Sequence, residues 1–126
     1  MPDGWELNEL GSLAGDGTGD NDNDSQNDGD EYIAGTDPNN SSEFFSVSDV
    51  SYVGGLGGPS EFIVNWSTVL GRLYSLSATT NLSEPIIWTE IPGQTNRAGT
   101  GSTMSYTNFF PGTERYYLLE VEFDTP

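Results

Sequence analysis

The chain has 126 residues and a formal net charge of -17, with 20 acidic residues set against 3 Arg and with no Lys, His or Cys. This balance excludes nucleic acid as a partner and disfavours anionic membrane surfaces, because binding phosphate needs clustered cations. The absence of Cys and His also excludes disulfides, thiolate metal sites and an ordinary zinc site, and leaves oxygen ligands, which suit hard cations such as calcium.

The length suits one domain, or one small module joined to an ordinary one. Charge is unevenly placed: residues 1–50 hold thirteen acids and no base, while residues 51–126 hold seven acids and all three Arg. Aromatic and β-branched residues concentrate in the second half, and the composition changes near Ser41–Glu43. The expected division is therefore an acidic module over residues 1–42 and a β-domain over residues 43–126. No apolar run approaches the roughly 18–20 residues of a membrane span, so no membrane insertion is expected. No signal peptide is recognisable, so export would depend on a longer precursor.

The first element expected is a short helix in "MPDGWELNEL". Asp3 and Glu6 are three apart, a capping spacing, ahead of Trp5, Leu7 and Leu10. The following "GDGTGD" is a Gly-rich turn in which Asp16 is either a turn residue or an additional metal ligand.

The run from Asp20 to Glu31, "DNDNDSQNDGDE", reads as a twelve-residue calcium loop. Asp20, Asp22 and Asp24 fall at positions one, three and five. Gln26 falls at seven, where the backbone carbonyl is the ligand and the side chain is free to vary. Asp28 falls at nine and Glu31 at twelve, the bidentate position. Only position six departs, with Ser25 in place of Gly. A register starting at Asp24 would restore Gly at six but put Gly35 at twelve, and a lost bidentate acid costs more than a strained turn. The Asp28/Glu31 spacing also predicts a helix beginning near Asp28, continuing through "EYIA" and closed by Gly35 and Pro38. A solvated acidic linker is the alternative reading of the same residues.

The stretch "DNDNDSQNDGDEYIAGTDPNNSSEF" resembles the bacterial thrombospondin type 3 repeat, and more distantly EF-hand and dockerin loops, with "EYIAGTDP" the more distinctive part. The resemblance implies calcium ligands at Asp20, Asp22, Asp24, Asp28 and Glu31. It also implies that "MPDGWE" ends a preceding loop, with Asp3 and Glu6 at its positions nine and twelve.

After Glu43 the pattern alternates with period two. Phe62, Val64 and Trp66 share one face, as do Tyr74, Leu76 and Ala78, and then Tyr117, Leu119, Val121 and Phe123, with Glu120 and Glu122 opposite. Further strands are expected at Phe45–Tyr52, Ile86–Ile91 and Thr103–Thr107, with turns in "GGLGGP", "VLGR", "NLSEP" and "NFFPG". The expected fold is mostly β, an antiparallel sandwich of fibronectin or immunoglobulin type behind a calcium-loop module with two short helices. This half also resembles C-terminal β-domains that follow such repeats in large secreted bacterial proteins, through Trp66 before "GRLY", then "TNL" and Trp88.

An enzyme is not expected. Without His, Cys or Lys there is no conventional base for a Ser nucleophile, no thiolate and no Schiff base. Three readings follow. The leading one is a secreted or cell-surface calcium module that sets the geometry between neighbouring domains of a longer chain. Another is a polysaccharide-binding module using Trp88, Tyr106 and Tyr116. The last is a surface assembly unit acting by calcium-dependent self-association.

Overall fold

The computed structural model describes residues 1–53, 61–109 and 116–124. The chain forms two compact units, Met1–Phe45 and Ser46–Pro126.

The first unit contains two helices of 7 residues, α1 (Asp3–Glu9) and α2 (Asp28–Ala34). Neither length is stable alone in water. They pack through Trp5 and Tyr32, whose ring centroids are 5.2 Å apart. The N-cap of α2 is Asn27, whose side chain accepts from the Asp30 N–H at 2.7 Å. This corrects the cap expected at Asp28, whose carboxylate is drawn instead to the Asn21 N–H at 3.0 Å. Gly35, at φ 82°, closes the helix in the left-handed region that disfavours a Cβ. The far end of α1 is held by Asn39, whose amide donates to the Glu9 carbonyl at 2.8 Å. Asn39 in turn accepts from the Asn21 amide at 2.6 Å, so the acidic loop and both helices share one hydrogen-bond chain.

The second unit is antiparallel β. One sheet has three strands in the order β1 (Val47–Val53), β2 (Glu61–Ser67), β6 (Thr103–Phe109). The other is built on β3 (Arg72–Thr79), with β7 (Tyr116–Phe123) along one edge. Its other edge is divided between β4 (Thr89–Glu90) and β5 (Arg97–Ala98). The period-two faces take the expected sides: Val64, Trp66, Tyr74, Leu76 and Ala78 are buried, and Glu120 and Glu122 are exposed. Side chains also meet between the two sheets, with Phe62 and Tyr117 ring centroids 6.5 Å apart and the Arg97 guanidinium 5.7 Å from the Trp66 ring.

Two expectations are corrected, and one strand is unforeseen. The strand expected at Ile86–Ile91 shrinks to Thr89–Glu90, because the register that pairs Thr89 with Ala78 sets Ile86–Trp88 against Thr79 and beyond, where β3 ends and the Thr79 hydroxyl turns the chain through its bonds to Asn81. The first strand starts at Val47 and not at Phe45, whose backbone groups bond to the Gln26 side chain. Arg97–Ala98, which carries no strand pattern, pairs because Gly99 brings the backbone close. The "GGLGGP" turn and the end of "NFFPG" lie outside the described residues.

Gly99 sits where a Cβ would lie 2.2 Å from the Val69 carbonyl oxygen and 3.0 Å from Tyr74 Cε2. Tyr74 is itself fixed, its hydroxyl accepting from the Val69 N–H at 2.9 Å. Neither neighbour can retreat cheaply. Gly99→Ala is therefore expected to destabilise the second unit by about 1–3 kcal/mol, read as a lower thermal midpoint for its unfolding. An unchanged midpoint would show that this close approach carries no energy.

Candidate metal centre

Asp20, Asp22 and Asp24 each offer a carboxylate oxygen within 4.8 Å of the others. Local hydrogen bonds make this happen. The carboxylate of Asp20 accepts from the Asp24 N–H at 3.1 Å and from the Ser25 N–H at 2.9 Å. That of Asp24 accepts from the Gln26 N–H at 2.8 Å. The backbone reaches this curl through Asn23 at φ 62° and Ser25 at φ 81°. Asn tolerates the left-handed region, whereas Ser pays for its Cβ there. The one departure from the loop pattern thus coincides with a strained residue.

The helix that follows supplies two buried acids. Asp28 is 7% exposed and bonded to the Asn21 N–H, and Glu31 is 0% exposed. One oxygen of Glu31 accepts from the Thr36 hydroxyl at 3.3 Å, while its Oε2 has no partner. Asp22 Oδ2 and Asp24 Oδ2 are likewise shielded and unpartnered. An unpaired buried carboxylate is costly, so its ionisation responds. Burial first, and then the charges of Asp22 and Asp24, push Glu31 from 4.5 up to about 7. Burial, reinforced by the charge of Asp24, raises Asp22 as well. Residues 1–45 contain no Lys, Arg or His that could supply the missing positive charge. The Asp20, Asp22 and Asp24 cluster can hold a metal ion, and the chemistry of its donors is that of a hard cation.

Gln26 has a role that its loop position did not announce. Its amide donates to the Phe45 carbonyl at 2.6 Å and accepts from the Phe45 N–H at 3.0 Å. Asn21 and Asn27, which stand between the acids, hold Asn39 and cap α2. Their signal was available in the sequence, as Asn at a loop's second position and immediately before a helix.

The remaining candidates are dispersed. Asp16 is exposed and bonded to the Thr18 hydroxyl and N–H, which lower its pKa. Asp3 is exposed at the start of α1, and Glu6 is buried at 6% with Oε1 unpartnered. Tyr106 pairs with Val64 and so shares the face of the buried Val64 and Trp66. Tyr116 pairs with Thr79, on the opposite side of β3 from Tyr74, Leu76 and Ala78, and Trp88 is half-buried just ahead of β4. Those aromatic side chains do not gather on one face.

Compared with known protein families, with curated proteins and with solved structures, the chain matches none.

The raised Glu31 value predicts a pH dependence with a definite sign. A carboxyl whose folded-state pKa lies above its unfolded one favours the fold when protonated. Without divalent ions, the contribution of Glu31 to the first unit should be fully present below about pH 4.5, with on the order of 3 kcal/mol of it lost as pH rises to about 7. Carbon-detected NMR of the Glu31 carboxyl in chelator should give a midpoint of about 7. A midpoint at the ordinary 4.5 would show that the site is not short of positive charge.

Proposed function

We propose that the Asp20–Glu31 loop binds calcium and that the protein is a calcium-stiffened structural module. The observation that carries this reading is Glu31, a fully buried carboxylate with an unpartnered oxygen beside Asp22 and Asp24. Asp20, Asp22, Asp24 and Glu31 would supply carboxylate oxygens, Gln26 its backbone carbonyl, and Asp28 a contact at position nine. Calcium fits better than magnesium, which demands a near-ideal octahedron and keeps several waters. The likeness of "DNDNDSQNDGDEYIAGTDP" to thrombospondin type 3 repeats points the same way.

The role that fits is a rigid connector leading into a β-sandwich, within a larger secreted or cell-surface protein. The Phe62–Tyr117 and Arg97–Trp66 contacts support a sandwich reading of the two sheets. Ser25 in the left-handed region argues for modest affinity, about 10⁻⁴–10⁻³ M, as in extracellular calcium modules. Such a loop fills outside the cell and not in the cytosol. The ion also replaces the disulfides that the chain lacks. Catalysis forms no part of this reading, and neither polysaccharide binding nor self-association has an observation that favours it.

Calorimetry on two variants tests the assignment. Ser25→Gly should tighten calcium binding about three- to tenfold by relieving the Cβ strain. Glu31→Gln should weaken it by far more, through loss of the bidentate charge. Equal affinity of Glu31→Gln and the parent protein would remove this loop as the site.

The connector role has its own test. Small-angle scattering of a protein that includes the preceding domain should show compaction or stiffening on adding calcium. An unchanged profile while calcium demonstrably binds would remove the connector role and leave the ion a purely local one.

A further inference from the structure

Gln26 occupies the one position of the loop whose ligand is backbone carbonyl, so its side chain is not needed at the ion. That side chain instead satisfies both backbone groups of Phe45, donating to its carbonyl at 2.6 Å and accepting from its N–H at 3.0 Å. One side-chain amide thus imitates a rung of a β-ladder, and only Gln or Asn among side chains carries donor and acceptor in that arrangement. Asn is shorter by one methylene. Phe45 is the last residue of the first unit, and only Ser46 separates it from β1 at Val47.

We infer that Gln26 is a mechanical link through which occupancy of the loop is passed to the point where the chain leaves the first unit. The inference rests on the calcium reading above. The same residue would face the ion with its main chain and the exit segment with its side chain. Fixing one fixes the other, since the Gln26 N–H is also held by Asp24 at 2.8 Å. When the loop loses its cation, repulsion among Asp20, Asp22 and Asp24 opens the curl that orients Gln26. Phe45 then loses both partners together. Without this link, the exposed run Asn39–Phe44 would reach β1 tied at its start, where Asn39 bonds Glu9 and Asn21, and beyond that by turn contacts: the Asn40 N–H on the Asp37 carbonyl, the Ser42 N–H on the Asn40 side chain and the Glu43 N–H on the Asn40 carbonyl. Calcium would then stiffen the loop without stiffening the junction.

The test compares the parent protein with Gln26→Met, full chain in both cases, by residue-resolved amide exchange in chelator and at calcium saturating for each. Calorimetry on the same samples sets the saturating concentrations. Met at this position keeps the length and leaves the main-chain carbonyl in place, but it can neither accept from the Phe45 N–H nor donate to the Phe45 carbonyl. In the parent, calcium should slow exchange at Phe45 by about tenfold or more, in step with the loop amides of Asp24 and Ser25. In Gln26→Met the loop amides should still respond to calcium while Phe45 stays at its chelator rate. Equal calcium protection of Phe45 in both proteins would overturn the link. So would a parent in which the loop amides respond and Phe45 does not. No heat of binding and no response of the loop amides in the parent would instead overturn the calcium reading, and the link with it.

Discussion

Glu31 is a carboxyl sealed from water beside two other carboxyls, in a unit that contains no basic side chain. Nearly every feature of the first unit can be traced to that arrangement. The loop curls so that its own backbone N–H groups solvate Asp20 and Asp24, and the Asn21 N–H solvates Asp28. These neutral donors can share out negative charge, but they cannot cancel it. What is left over appears as unpartnered oxygens on Asp22, Asp24 and Glu31 and as a Glu31 carboxyl that holds its proton up to about pH 7. A site of this kind can exchange a proton for a cation, because both relieve the same repulsion.

The second unit rests on a different constraint. β2 and β3 each bury one face, through Val64 and Trp66 and through Tyr74, Leu76 and Ala78, and the described acids of β4 and β7 are exposed to water. Glu120 and Glu122 point away from the face that carries Leu119 and Val121. β3 is the strand on which the second sheet depends, since β4, β5 and β7 all pair with it. Its buried Tyr74, Leu76 and Ala78 make the apolar face, and Gly99 allows the β5 segment to close against it. The two Arg of this unit that are described both lie over aromatic rings, Arg72 at 4.3 Å from Phe123 and Arg97 at 5.7 Å from Trp66. They stabilise aromatic faces within that unit.

Two kinds of order therefore coexist in one chain. The β-unit is held by burial of apolar surface, which needs no added component. The helical unit buries Trp5 against Tyr32 and little else that is large and apolar, leaving Leu7, Leu13 and Ile33 exposed. Its cohesion comes from polar contacts, the Asn21–Asn39–Glu9 chain, the Asn27 cap and the Gln26 pair with Phe45. Individually such bonds contribute modestly, about 0.5–1.5 kcal/mol each, so the unit is sensitive to anything that changes the charge at their centre.

The sequence by itself determined what depends on spacing along the chain. Acids at every second position from Asp20 to Asp24, Gly35 after a helical run, and alternation in "RLYSLSA" and "YYLLEVEF" were enough for the loop, for a helix over Asp28–Ala34 and for antiparallel strands. These are local or periodic properties, and backbone geometry translates them directly. Tertiary structure decided what depends on which distant groups meet. Asn27 caps α2 because Asp28 is claimed by Asn21, and β1 waits until Val47 because Gln26 claims Phe45. The edge of β3 past Ile91 passes to residues with no strand pattern, because the Gln94 carbonyl takes the Leu76 N–H and Arg97–Ala98 pair with Leu73 and Tyr74. Each of these outcomes is a competition for a backbone donor or acceptor between residues far apart in sequence, and a reading made along one chain cannot see the competitor.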